Sequence, residues 1–263
     1  MVNRFKSLYD AQGFLTGVPI IKPSEALAHR SILEAVEAER GPMHYQFKAH
    51  TAMHSTYQLA ILPKILNIVE QLIGPDILLY SAAYIVKEAN TKSHVSWHQD
   101  LTYWGLDSAA QVSVWLALSD ASEASGCMHM IPGSHKHGQQ KHHNTQDNNN
   151  VLLSGQTIND IDPNQSIAAS LKAGQASFHH GWTIHCSQPN LTNDRRIGLN
   201  IQYISPAVKQ LKQQQDSAML VRGVDHYGHF QTDQPAQSNF DSKAWQKQKA
   251  LDDKLKGIQG NTT

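Results

Sequence analysis

The sequence is poor in cysteine, which excludes one structural class. Cys127 and Cys186 are the only cysteines among 263 residues, and they form no CxxC pair. Disulfide-stabilised scaffolds need a dense cysteine pattern, so this class is excluded and a reducing compartment is favoured. We expect both cysteines to be buried as small apolar side chains.

The sequence also lacks long apolar runs and an excess of positive charge. No stretch approaches the roughly 20 apolar residues of a membrane span, and the first ten residues lack the apolar core of a signal peptide. We therefore expect a cytoplasmic protein without a membrane partner. Lys+Arg and Asp+Glu number 22 each. Binding to nucleic-acid phosphates requires surplus positive charge, so we expect no nucleic-acid partner.

The chain is long enough, and at 40% hydrophobic residues apolar enough, to bury a sizeable core. We expect one domain over residues 1–263, as a monomer or homodimer. Within it we expect helical support over 1–75, a β-rich core over 76–205 and a C-terminal extension over 206–263.

Periodicity supplies the expected elements. Apolar residues recur at three-to-four spacing over 27–40 and 64–73, which predicts two helices beside an early strand at 13–21. Pro63 suits the first turn of the second helix. A further helix is predicted at 242–256. Short β-rich runs, typical of a sandwich or barrel, occupy 77–86, 95–100, 111–118, 127–131, 175–179, 183–187 and 197–204.

A polar segment over about 134–162 is too long for a simple connection and predicts a mobile loop or lid. It contains His135, His137, His142 and His143, and His129 lies nearby. Because their spacing is irregular, we expect these histidines to be solvated and not to bind a metal.

The pair His98 and Asp100 is the first candidate for metal binding. In an extended strand alternate side chains share a face, so these two project together while Gln99 turns away. A His-x-Asp motif alone is a weak signal, because a hydrogen-bonded pair on a surface strand gives the same pattern.

The second candidate group lies in the segment 179–196. A hairpin centred near Asn190-Leu191 would place His185 opposite Arg196, and cross-strand partners are only about 5 Å apart. The register would put an imidazole beside a permanent planar cation. Spacing alone leaves His179 and His180 as rival ligands.

Two histidines and one carboxylate leave three open positions on a metal, an arrangement typical of iron(II) oxygenases and unlike closed zinc sites. A bidentate keto acid can fill two positions. Its far carboxylate then needs a fork of donors, which Arg196 can supply through two charge-assisted hydrogen bonds. We expect Arg195 to point the opposite way.

Four groups of residues form a recognisable pattern when they are taken together. They are His98-Gln99-Asp100 with Tyr103-Trp104, the run Val114-Trp115-Leu116-Ala117-Leu118, Ser125-Gly126-Cys127 leading into Ile131-Pro132-Gly133-Ser134-His135, and His185 with Ser187, Asn190 and Arg196. The pattern resembles the phytanoyl-CoA dioxygenase-like branch of the iron(II)/2-oxoglutarate oxygenases, over roughly residues 13–205. The resemblance implies a mainly β fold with flanking helices, the cupin-like double-stranded β-helix or jelly roll.

The resemblance also implies roles for single residues. The implied iron(II) ligands are His98, Asp100 and His185. Arg196 is implied to anchor 2-oxoglutarate. Among the rival histidines the resemblance favours His185, and we expect His180 to pack against the site or to orient a ligand.

Other implied contacts lie on the same strands. Trp115 resembles a residue that the family places near the cofactor, and alternation puts Gln111 and Ser113 on its face. Ordinary barrel interior is the alternative for these side chains. Ser187 shares the face of His185, and we expect it to help hold the far carboxylate of 2-oxoglutarate.

The implied activity is hydroxylation of an unactivated C–H bond by dioxygen, with succinate and carbon dioxide as co-products. Desaturation, epimerisation and ring closure use the same iron site and stay open. Halogenases of this branch have a small residue in place of the carboxylate that binds the metal. Asp100 supplies this carboxylate here, which argues against halogenation. A zinc hydrolase and a non-catalytic jelly-roll binder are more distant alternatives.

The expected substrate is a small polar metabolite, since no Lys/Arg cluster indicates a coenzyme A thioester. The overall sequence pattern also looks similar to that of bacterial members of the family that hydroxylate small zwitterions such as 2-aminoethylphosphonate. Lys136 and Lys141 would suit an anionic head group. The candidates for the pocket or its gate are these two lysines, the histidines of the polar segment, Tyr103, Trp104, Met128 and Met130. For each of them a packing or surface position is the equal alternative.

Overall fold

The computed structural model describes residues 4–152, 155–212 and 215–260. Seven strands form a larger sheet: β1 (Phe14–Pro19), β2 (Ile77–Lys87), β4 (Gln111–Ala117), β9 (Gln175–His179), β11 (Arg196–Ile204), β12 (Ser217–Arg222) and β13 (Gln231–Thr232). Four form a smaller sheet: β3 (Val95–His98), β5 (Met128–Met130), β8 (Ile167–Ala169) and β10 (His185–Ser187). A short pair, β6 (His143–Asn144) and β7 (Gln156–Thr157), lies between them in the chain.

The larger sheet has the spatial order β1-β9-β4-β11-β2-β12-β13, and the smaller has the order β3-β10-β5-β8. Neighbouring strands pair antiparallel, apart from the parallel pair β12–β13. Such crossovers between two sheets build the jelly roll. The predicted mainly β class with a jelly-roll fold is confirmed.

In the part of the chain that the structure describes, six helices accompany the sheets: α1 (Arg4–Gln12), α2 (Pro23–Arg40), α3 (His54–Ala60), α4 (Pro63–Ile73), α5 (Leu101–Trp104) and α6 (Ser242–Gly260). Short 3₁₀ turns occupy Ala49–Thr51, Ser134–His137 and Pro163–Gln165. The helices predicted at 27–40, 64–73 and 242–256 correspond to α2, α4 and α6, with Pro63 in the first turn of α4 as expected. No helix in the described ranges is long and apolar enough to cross a membrane.

Strand alternation decides which face of the larger sheet carries the site. In β11, Leu199 and Ile201 turn outward and pack with Leu33 of α2 and Val69 of α4 in the main apolar core. The intervening positions therefore face the interior between the sheets. The main apolar core thus lies between the larger sheet and the helices on its outer face. The inner face carries the polar side chains that line a pocket.

The hairpin predicted around Asn190-Leu191 is wrong. His185 in β10 pairs with His98 and Met130 in the smaller sheet, whereas Arg196 opens β11 in the larger sheet. The chain between them crosses from one sheet to the other. Asn190 is fully buried at this crossing, and its Nδ2 donates to the carbonyls of residues 87, 88 and 194 at 2.8–3.2 Å.

The polar segment 134–162 is more ordered than a simple loop. It contains the 3₁₀ turn Ser134–His137 and the β6–β7 pair, while residues 153 and 154 lie outside the described residues. Its mobility and the single-domain assignment of residues 1–263 stay predictions.

Candidate metal centre and adjoining pocket

Two neighbouring strands bring the candidate ligands together. His98 ends β3 and is the register partner of His185 in β10, so the two ring centroids lie 4.1 Å apart. The strand ends two residues earlier than predicted, and Asp100 lies beyond it as the N-cap residue of α5. Its Oδ1 nevertheless lies 3.5 Å from His98 Nε2 and 3.7 Å from His185 Nε2. The three ligand atoms lie within 4.8 Å of one another, close enough to share one metal ion.

Backbone carbonyls fix the orientation of both imidazoles. Nδ1 of His98 lies 2.8 Å from the Ser96 carbonyl, and Nδ1 of His185 lies 3.0 Å from the Thr183 carbonyl. A carbonyl only accepts, so each Nδ1 carries the proton and each Nε2 presents a lone pair to the common centre. Burial lowers the pKa of His185 well below its usual value, which keeps this ring neutral.

The carboxylate of Asp100 is held by its other oxygen. Oδ2 accepts hydrogen bonds from Ser113 Oγ at 2.8 Å and His179 Nε2 at 3.2 Å. Burial raises the pKa of Asp100, but the neighbouring histidines, above all the hydrogen bond from His179, outweigh this effect and hold the pKa well below its usual range. The ionised Oδ1 is thereby directed at the two imidazoles, as a metal ligand requires.

His179, and not His180, is the histidine that supports the ligands. His180 packs against Tyr9 and His135 on the far side of β9, with ring centroids 6.2 and 5.2 Å away. Packing was one of the two roles expected for it. The sequence signal for His179 is alternation, because Gln175, Ser177 and His179 alternate with apolar residues and so share one face of β9.

Arg196 lies beside this centre as a buried cation. It is 1% exposed, and its Nε and Nη2 have no hydrogen-bond partner within the described ranges. Burial lowers the pKa of Arg196 to about 10, so the side chain remains charged at neutral pH. A buried, unpaired charge is strongly unfavourable, which marks this position as a subsite for an anion.

Trp115 provides the support beneath Arg196. The guanidinium carbon lies 5.0 Å from the centre of the Trp115 ring, a cation-π arrangement. Gly198 makes this possible, because a Cβ at that position would overlap the ring. Both Trp115 and Ser187 line the pocket, whereas Gln111 is directed at Gly181 and is absent from the lining as far as the chain is described.

Lys87 is a buried group near the site that sequence reasoning missed. It is the register partner of Arg196, and its Nζ donates to the carbonyls of Ser187, at 2.9 Å, and Gln188. Burial and the charge of Arg196 lower the pKa of Lys87 to about 6. Its position at the end of an apolar strand carries no sequence signal for this role.

The rest of the pocket is aromatic and amide-rich. Further described lining residues are Tyr45, Phe47, Ile85, Val95, Tyr103, Trp104, Met128, Leu152, Cys186, Asn200, Gln202 and Gln259. The carboxamide oxygens of Asn200 and Gln202 are buried without partners in the described structure. Met130, Lys136 and Lys141 are not among the described lining residues.

The five histidines of and near the polar segment are not members of the candidate metal group found among the described residues, and their lack of a metal-binding role stays a prediction. Their predicted solvation is correct only for exposed His137, since the other four are half-buried: His129, His135, His142 and His143. His142 packs against Tyr103. Both cysteines are buried and free, which confirms their predicted burial. Arg195 points away from the pocket and bonds Glu88 and Glu37, also as predicted.

Together, the jelly roll, the His-Asp-His group and the neighbouring cation define a protein with a candidate metal centre inside a double-stranded β-helix. The family model for phytanoyl-CoA dioxygenase (PhyH) matches residues 22–198, well over half of the chain. The chain therefore belongs to the phytanoyl-CoA dioxygenase family.

Two curated relatives match part of the chain. Phytanoyl-CoA dioxygenase domain-containing protein 1 of Danio rerio is 33% identical over 51% of this chain and 47% of its own length. A probable alpha-ketoglutarate-dependent hypophosphite dioxygenase of Stutzerimonas stutzeri is 27% identical over 64% of this chain and 56% of its own length. The chain thus spans about half the length of the curated relatives it matches.

A solved structure matches over almost the whole chain. The non-heme monooxygenase ThoJ, in its apo form, shares 31% identity with a TM-score of 0.86 and covers 98% of this chain and 100% of its own. Its nickel complex matches with a TM-score of 0.81 and 29% identity over the same shares.

Proposed function

We propose that this chain is an iron(II)- and 2-oxoglutarate-dependent oxygenase. In this proposal His98, Asp100 and His185 hold the metal, and Arg196 binds the far carboxylate of 2-oxoglutarate. The observation that carries the proposal is one pocket in which three ligand atoms converge beside a buried, unpaired guanidinium. The S. stutzeri relative, described as a probable alpha-ketoglutarate-dependent hypophosphite dioxygenase, and the non-heme monooxygenase ThoJ support the same chemistry.

The donor set fits iron(II). Two neutral imidazoles and one carboxylate occupy one face of a metal and leave the other positions for small ligands. Iron(II) with 2-oxoglutarate supplies dioxygen activation, with succinate and carbon dioxide as co-products. A hydrolytic zinc site would accept the same ligands but would give Arg196 no anion to bind.

The protein residues orient the reactants and shield them from water. Ser113 and His179 hold the Asp100 carboxylate, and Trp115 supports Arg196, so neither group must reorganise when its ligand binds. We favour hydroxylation of a C–H bond, since Asp100 fills the position that halogenases leave to a small residue. The name monooxygenase given to ThoJ is consistent with this choice.

The substrate we propose is a small organic molecule whose bound part is uncharged. Arg196 is the only lysine or arginine among the described lining residues, so 2-oxoglutarate would already neutralise it. Tyr103 and Trp104 offer an aromatic wall, while Asn200 and Gln202 offer buried acceptor oxygens for N–H or O–H groups. A 2-aminoethylphosphonate-like anion would find no second cation in this lining.

The test is turnover by an Asp100→Ala variant. Succinate formation and oxygen consumption would be measured with iron(II), 2-oxoglutarate and a metabolite mixture. Loss of the carboxylate removes a ligand and its charge, so we expect both signals to fall to background. Asp253→Ala, which removes an exposed carboxylate on α6, is the matched control and should retain wild-type rates. Retention of normal turnover by Asp100→Ala would overturn the proposed metal site.

A further inference from the structure

Gln99 lies between two candidate metal ligands, and its side chain binds two other segments of the chain. It is fully buried, and its Nε2 donates to the carbonyls of Gly138 at 2.9 Å and Trp182 at 2.8 Å. Its Oε1 accepts from the Gln140 backbone N–H at 2.7 Å. Both amide hydrogens and the oxygen of the carboxamide are therefore satisfied by backbone groups.

The backbone of Gln99 makes a further bond to the same segment. Its N–H donates to His142 Nε2 at 3.2 Å, and His142 Nδ1 in turn donates to the Gln140 carbonyl at 3.0 Å. This pair of bonds fixes His142 as the tautomer with the proton on Nδ1. The His142 ring also stands edge-on to Tyr103, with centroids 5.6 Å apart. Residues 138–142, here called the lid segment, are thus bound to Gln99 at three points.

The bond to Trp182 connects Gln99 with the second ligand strand. Trp182 precedes the ligand His185 by three residues, and the intervening Thr183 carbonyl orients the His185 ring. Gln99 itself is covalently flanked by His98 and Asp100. One side chain therefore joins both ligand-bearing segments to the lid segment.

We propose that Gln99 is a positioning residue that sets the geometry of the metal ligands and couples it to the order of the lid segment. The proposal rests on the proposed function, since the ligands it positions are those of the iron site. Residues that orient metal ligands through hydrogen bonds typically contribute a factor of about 10–100 to metal affinity. Since the lid segment carries His142 against Tyr103, the same residue also sets one wall of the pocket.

The test compares Gln99→Met with the wild type in two measurements. Methionine has a similar volume but leaves the Trp182 carbonyl and the Gln140 N–H without their Gln99 partner. The Gly138 carbonyl keeps only the long bond from Gln140 Nε2 at 3.4 Å. We expect the anaerobic iron(II) affinity to fall about 10–100-fold. In hydrogen exchange of the full chain, the Gln140 amide should lose its protection while the central strand β11 keeps its own.

Gln175→Met is the matched control, because Gln175 accepts a backbone N–H at 2.8 Å but lies at the opposite end of β9 from His179. It should leave both readouts at wild-type values. His142→Ala provides a second route, because it removes the contact from the lid side without touching the Gln99 side chain. We expect it to expose the Gln140 amide and to lower iron affinity several-fold, and this variant decides the matter if Gln99→Met does not fold.

The positioning role would be overturned if Gln99→Met bound iron(II) as tightly as the wild type and kept the hydrogen-exchange protection of its Gln140 amide. If Gln99→Met does not fold, the same result in His142→Ala would overturn it. That outcome differs from failure of the proposed function, in which the wild type itself would bind no iron(II). Loss of Gln140 protection together with reduced affinity supports the proposal.

Discussion

Replacement of Arg196 by leucine isolates the proposed co-substrate anchor. The guanidinium presents two unpaired donors, Nε and Nη2, in a pocket that is shielded from water. Leucine keeps much of the apolar contact with Trp115 and removes the charge. Because no anion pairs with Arg196 in the described structure, the substitution breaks no ion pair and removes a buried cation.

The expected size of the effect follows from these two donors. Hydrogen bonds to charged groups contribute about 1.5–3 kcal/mol each, so we take about 3–4 kcal/mol for the bidentate pair. This energy corresponds to a rise of about 10²–10³-fold in the KM for 2-oxoglutarate. The melting temperature should not fall, since the variant no longer buries an unpaired charge.

The assay is succinate formation at saturating iron(II) as a function of 2-oxoglutarate, with Arg195→Leu as the control. Arg195 is the adjacent residue in the chain, but it bonds Glu37 and Glu88 outside the pocket. Its loss should leave the KM for 2-oxoglutarate within about twofold of the wild type, because Arg195 is not among the described residues that line the pocket. An unchanged KM in Arg196→Leu would refute the anchor and move the carboxylate subsite elsewhere.

Three further predictions concern the surroundings of the site. Ser113→Ala removes one bond to Asp100, and anaerobic titration should show iron(II) affinity reduced about 10-fold or more, whereas unchanged affinity would contradict the support role. Gly198→Ala forces a Cβ into the Trp115 ring, so chemical denaturation should show about 1–3 kcal/mol lower stability, and wild-type stability would contradict this packing. Burial and a neighbouring guanidinium lower the pKa of Lys87 from 10.5 to about 6, so the unfolded chain holds more protons between these values and wild-type stability should rise with pH across this window. Lys87→Met should lose that rise, and parallel pH profiles of the two proteins would contradict it.

The ligand pair His98 and Asp100 could be predicted because it depends on local geometry. His98 and Asp100 are separated by one residue, and either an extended or a turning backbone can bring their side chains together. The strand in fact ends at His98, yet the pair still converges. Local spacing therefore predicted the contact even though the predicted conformation at Asp100 was wrong.

The relation between His185 and Arg196 could not be obtained from local pattern. Both flank a turn-rich segment, which suggests a hairpin, but strand propensity does not state which sheet a strand joins. The buried Asn190 instead directs the chain from one sheet to the other. The two residues still border one pocket because the sheets enclose it, so the predicted proximity to a common site was sound for a different reason.

Residues that act on the ligands from other strands were the hardest to predict. His179 reaches Asp100 only because β9 pairs with β4 in a register that sets it beside Ser113. Lys87 acquires its perturbed pKa from burial and from its register with Arg196. Such contacts depend on long-range strand pairing, which a single sequence pattern does not specify.

The most direct test of the account is an anaerobic visible spectrum of the metal-free protein during addition of iron(II) and then 2-oxoglutarate. A keto acid chelated to iron(II) gives a charge-transfer band that neither component shows alone. We predict that the band forms in the wild type and in Arg195→Leu, and that Arg196→Leu needs far more 2-oxoglutarate to reach it. Absence of the band in the wild type, together with tight zinc binding at His98, Asp100 and His185, would contradict the oxygenase assignment and favour a hydrolytic metal site.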